Sequence, residues 1–114
     1  MKTLDGGRVG IASQALGIAQ GAMDETVKYV KERKQFGRTI GQFQNTQFQL
    51  ADLDTKIEAA RLLVRAAAFK KDQKLPFSVD AARAKLFAAE TAMEVTTKAV
   101  QFHGGYGYTR EYPR

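Results

Sequence analysis

Apolar residues recur three and four positions apart along three long stretches of this 114-residue chain. That spacing lines one face of a 3.6-residue helix. The first stretch runs from about Asp5 to Lys34 and carries Val9, Ala12, Leu16, Ala19, Met23, Val27 and Val30. The second, from about Gln42 to Gln73, carries Leu50, Leu53, Ile57, Ala60, Val64 and Ala67. The third, from about Val79 to His103, carries Val79, Ala82, Leu86, Ala89, Met93, Thr96 and Val100. No stretch sustains the alternation of a half-buried strand. The pattern predicts an all-α, antiparallel up-down bundle with helices over about 5–34, 42–73 and 79–103.

The punctuation agrees. Asp5 reads as a cap for the first helix, and Gly37 follows a basic last turn. Pro76 breaks the second helix, and Ser78 reads as the cap of the third, with Asp80 in its first turn. Gly104 and Gly105 read as its end. Connections this short make neighbouring helices antiparallel.

Three helices of this length, each roughly 40 Å long, form an incomplete bundle. The faces beside the stripes are apolar too: Ala15, Ile18 and Ala22; Ala59, Leu63 and Ala66; Ala81, Ala84, Ala88 and Ala92. Such a surplus predicts a fourth helix or a partner subunit.

Composition narrows the chemistry. At 44% apolar and 26% charged the chain is globular rather than disordered. It has no cysteine, so it has no disulfide, thiol nucleophile or thiolate metal site. His103 is the only histidine, which excludes a His-rich metal cluster. Apolar runs are far too short for a membrane span, and the N-terminus reads as no signal or transit peptide.

The net charge is +6. Residues 31–38 contribute half of it, through Lys31, Arg33, Lys34 and Arg38 against Glu32. A focused patch points to an anionic partner. Nucleic acid fits poorly, because the long helices are near neutral and no reading motif is present.

Three motifs carry candidate chemistry. In "RKQFG", Arg33 could fork onto a phosphate or pyrophosphate, Phe36 could offer a flat face to a ring, and Gln44 could reach the same ligand across the hairpin. The plainer reading is a helix end with dipole-compensating cations. In "LDGGR", Gly6 and Gly7 would let a ligand approach a helix N-terminus beside Arg8; a flexible helix entry explains them equally. "QFHGGYGYTREYP" reads as a tight aromatic turn, with no strand before it to make a dinucleotide fingerprint. His103, three residues after Val100 on the stripe, reads as a packed residue rather than a catalyst. Most of Asp52, Asp54, Glu58, Glu90 and Glu94 read as solvated ion-pair partners.

Taken in order, "LDGGR", "Y.KERKQFG", "FQ..QF.LAD", "EAARLL", "A..AKLFA.E.A" and "Q.HGGYGYT.EYP" resemble the C-terminal helical domain of the flavin-dependent acyl-CoA dehydrogenases, most closely the short-chain, butyryl-type members. The likeness runs from Leu4 to Pro113. It implies an FAD-dependent oxidoreductase of fatty-acid β-oxidation, a homo-oligomer (dimer or tetramer), and an electron-transfer flavoprotein as redox partner. It implies the bacterial cytoplasm or the mitochondrial matrix, with neither nucleic acid nor membrane as partner. It assigns Arg33, Phe36, Gln44, Gln101, Phe102, His103, Gly104 and Gly105 to FAD, offered across a subunit interface. It assigns Asp5, Gly6, Gly7 and Arg8 to the acyl-CoA.

The chain also departs from the family. The glutamate base usually follows the "GGYGYT.EYP" motif, and these 114 residues do not reach it. The alternative base position, just before Arg8, is Gly7. No catalytic residue and no metal ligand is therefore assigned, and a polypeptide of these residues alone is expected to be inactive. The non-enzymatic alternative is a self-associating helical bundle module.

Overall fold

The structure is a computed structural model that describes the backbone of residues 2–33 and 40–111 and the side chains of residues 4–32 and 44–103. Three helices account for nearly all of it: α1 (Lys2–Arg33), α2 (Ile40–Asp72) and α3 (Ser78–Glu111). The described residues hold no strand. α1 and α3 run parallel, with α2 antiparallel to both. The polar pairs fix this register: Asp5 meets Ser78 and Tyr29 meets His103, whereas Lys56 meets Glu94 and Lys70 meets Asp80. The extents are 54 × 27 × 16 Å, with a radius of gyration of 17.4 Å. A compact chain of this length would have about 13 Å, so the bundle is a long, thin slab.

Small residues make the slab thin. Ala12, Ala60, Ala67, Ala81, Ala84 and Ala88 are buried together with Val9 and Val64 in one core cluster. Ala19, Met23, Leu53, Ile57 and Val95 form the second, and Leu16 packs against both. Alanine adds no helix-forming cost and lets neighbouring backbones come close. Thr26, buried in α1, returns its hydroxyl to the carbonyl of Ala22 at 2.8 Å and leaves no polar atom stranded.

The predicted stripes of α1 and α2 are the ones that face the core. The stripe of α3 is not. Val79, Leu86, Met93 and Val100 are 60–70% exposed, and Ala82 and Ala89 are exposed as well. Ala81, Ala84, Ala88, Thr91 and Val95, on the opposite side of the same helix, are buried instead. α3 is apolar on two sides, and the side with smaller residues packs more closely against α1 and α2.

The helix ends differ from the sequence reading in three places. α1 starts at Lys2, so Asp5 sits inside its first turn. Ser78 does not spend its hydroxyl on capping α3 but donates it to Asp5 of α1. Gly104 and Gly105 do not end α3, which continues to Glu111 and takes the expected aromatic turn into helix. Glycine lowers helix propensity by about 1 kcal/mol without forbidding helix. Gly37 and Phe36 lie outside the described residues.

α2 ends in a Schellman arrangement. Leu75 N–H donates to Lys70 O at 2.8 Å and Lys74 N–H to Lys71 O at 3.0 Å. Lys74 takes the left-handed position, φ 60°, where glycine is usual. Pro76 then separates α2 from α3.

Lys56 ties α2 to α3. Its ammonium donates to both Glu94 oxygens at 2.9 and 2.8 Å and lies 3.3 Å from Asp52. The Glu94 hydrogen bond holds the ammonium above its ordinary range, with Asp52 adding to the effect and burial opposing it. A raised lysine value stabilises the fold fully below the unfolded value of about 10.4. That contribution disappears as pH rises through the folded value. Lys56→Met is therefore expected to melt slightly below the parent protein at pH 7. The gap should close in melts recorded between pH 10 and 12, and it should shrink in high salt. A gap constant across this range would show that the amine's charge is not what Lys56 contributes.

Candidate functional site

The register gathers the sequence-predicted residues into two groups at opposite ends of the slab. One end holds the C-terminus of α1, the N-terminus of α2 and the C-terminal part of α3. Arg33 closes α1 there, Gln44 stands exposed one turn into α2, and Gln101, Phe102, His103, Gly104 and Gly105 follow on α3. Phe102 packs against the second core cluster, and Gln101 is exposed. The ring of His103 stacks on Tyr29 with centroids 4.1 Å apart and planes 30° apart.

The electrostatics of this end suit an anion. Lys28 and Lys31 are exposed on the last turns of α1. The first turn of α2 contains no acidic residue to offset the positive end of its helix dipole. A pyrophosphate fits such a setting. Beside it, Phe48, Gln49, Asp52 and Leu53 of α2 and Glu94 and Lys98 of α3 line an open groove of about 360 Å³.

The other end lies ~36 Å away, by the helical rise from Tyr29 back to Asp5. Asp5 is 6% exposed. Its carboxylate accepts from the Ser78 hydroxyl and lies 3.7 Å from the Arg8 guanidinium. Gly6 faces the Lys71 ammonium: a Cβ there would lie 3.6 Å from Nζ. Gly7 faces open space. Arg8 and Lys71 thus bring positive charge from α1 and α2 to one edge. Asp5 is held inside the fold and orients Arg8 rather than presenting a free carboxylate. The two groups are too far apart for one small ligand to touch both within a single chain.

Sequence reasoning missed the polar connections between helices. Tyr29, Ser78 as a partner of Asp5, Lys56 with Glu94, and Gln20 with Arg61 (2.7 Å) all join residues far apart in the chain. No local signal marks them. Glu94 is an ion-pair partner, as its setting among basic residues suggests, but it is half-buried against Lys56 rather than fully solvated. Among the described residues no cluster of acidic or histidine side chains could hold a metal, and no helix is long and apolar enough to cross a membrane.

The family model for the C-terminal domain of acyl-CoA dehydrogenases matches residues 1–114. The chain belongs to the acyl-CoA dehydrogenase family. It is 64% identical over 113 residues to the short-chain-specific acyl-CoA dehydrogenase of Clostridium acetobutylicum, covering 99% of this chain and 30% of that protein. It is 56% identical over 112 residues to a subunit of the caffeyl-CoA reductase–Etf complex of Acetobacterium woodii, covering 98% and 30%. The solved butyryl-CoA dehydrogenase of Megasphaera elsdenii superposes with a TM-score of 0.85 at 58% identity, over 97% of this chain and 29% of that one. The chain therefore spans about 30% of the length of the curated relatives it matches.

Proposed function

We propose that this chain is the helical domain of a short-chain acyl-CoA dehydrogenase and contributes contacts to FAD and to the interface between copies. The observation that carries this reading is the 64% identity to a short-chain-specific enzyme across 99% of the chain. The grouping of residues at the two ends supports it. Arg33, Gln44, Gln101, Phe102, His103, Gly104 and Gly105, together with Phe36 in the segment between α1 and α2, belong to the end that suits a pyrophosphate. Arg33 would grip that group bidentately. Asp5, Gly6, Gly7 and Arg8, with cationic Lys71 beside them, belong to the end we assign to the acyl-CoA. There Arg8 would meet the phosphates and Asp5 would orient it.

FAD supplies the electron acceptor when a saturated acyl thioester is oxidised between its α and β carbons. None of the residues described here supplies the base for the α proton. Their work is to bind, to orient and to assemble. The reading extends to an electron-transfer flavoprotein as redox partner, supported by the Etf complex to which one relative belongs. Relatives occur in bacteria and in mitochondria, and we assign the protein to the bacterial cytoplasm or the mitochondrial matrix.

FAD titration of the intact protein, followed by flavin fluorescence, tests the cofactor assignment. Arg33→Ala is expected to weaken binding roughly 10- to 100-fold, the loss of a charge-assisted bidentate contact worth about 1.5–3 kcal/mol. Equal affinity in parent and variant would remove Arg33 from the flavin site.

A further inference from the structure

Tyr29 opens the "Y.KERKQFG" motif and is assigned to neither ligand, yet it makes the ring contact that ties α1 to α3 at the pyrophosphate-suited end. His103, its partner, is the last residue before Gly104 and Gly105. Arg33 comes four residues after Tyr29, one helical turn further on and on the same face of α1. The stack therefore lies just inward of the two chain segments that the function proposed above brings to one ligand. Glycines 104 and 105 lack side chains with which to hold their part of α3 against α1. Phe102 packs against the core just before them, and the ring pair is the last described side-chain contact ahead of them.

We infer that Tyr29 is a positioning residue: by stacking on His103 it holds the Gly104–Gly105 segment of α3 in register with the Arg33 end of α1, for a nucleotide cofactor bearing a pyrophosphate. The ligand class rests on the function proposed above; the positioning itself does not. The inference assigns the positioning to the ring, so it expects phenylalanine to serve and alanine not to.

Amide hydrogen exchange on the intact protein tests the positioning without any ligand. Tyr29→Ala is expected to speed exchange at His103, Gly104 and Gly105 at least tenfold, while core amides around Ile57 and Ala84 stay unchanged. Tyr29→Phe is expected to restore protection. Unchanged exchange at these positions in Tyr29→Ala, or acceleration spread evenly over the bundle, would overturn the inference. FAD titration then reads the consequence: roughly tenfold weaker binding in Tyr29→Ala, recovered in Tyr29→Phe. Binding that responds to Arg33→Ala but not to Tyr29→Ala would also overturn it and leave the cofactor reading intact. If the parent protein binds no FAD, the cofactor reading fails and the exchange comparison alone decides.

Discussion

Ile57→Ala is expected to destabilise the bundle by about 2–5 kcal/mol and to lower its melting temperature by roughly 10–20 °C. Ile57 has no exposed surface and is the largest fully buried side chain among the described residues. It sits with Ala19, Met23, Leu53 and Val95 where all three helices meet. Ala19 and Val95 have no long side chains to swing into a void, while Met23 and Leu53 can relax into part of it. The part that stays open adds a cavity cost to the lost transfer energy. Ile57→Val removes one methylene and should cost about 0.5–1.5 kcal/mol. Calorimetric melts of the two variants make the comparison. If alanine costs no more than valine, the site collapses and the alanine-rich core is softer than its packing indicates.

Replacing Leu86 and Met93 together with aspartate is expected to break the proposed association between copies while leaving the fold in place. Both residues lie on the outer side of α3 with Val79 and Val100, spaced by seven, and each is more than 60% exposed. Within one chain they touch little, so the double change should leave helix content and the core unaffected. In an assembly each would bury apolar surface worth about 1.5–3 kcal/mol, and aspartate there would bring a charge into the contact. Association should weaken at least 100-fold, read as a drop in mass by sedimentation or light scattering. An unchanged mass would exclude this face as the contact between copies.

Much of this fold was legible. The stripes on α1 and α2 named the core residues correctly, and Pro76 marked the break between α2 and α3. The candidate residues were legible for a different reason: their motifs match a family, which local physics alone would not have revealed. Arg33, for instance, reads by composition as an ordinary basic helix end. The N-terminus of α1 and the C-terminus of α3 were misplaced because Asp5 and the paired glycines carry end signals that are preferences, not barriers. Asp5 and Ser78, each read as a cap, bond to each other across two helices.

The sequence by itself determined that there are three long helices, where α1 and α2 turn inward, and that positive charge gathers where α1 gives way to α2. A 3.6-residue period and local charge are properties of neighbouring residues, and they survive without knowledge of the fold. Only the tertiary structure decided which side of α3 is the inside. Hydrophobicity favours Val79, Leu86, Met93 and Val100, but the bundle buries Ala81, Ala84 and Ala88 because small side chains let three backbones pack closely. The same packing set the register that brings Tyr29 to His103 and Asp5 to Ser78. It also separated the two candidate groups by the length of the slab. Contacts between residues more than seventy positions apart have no local trace, since they arise from how whole helices lie against one another.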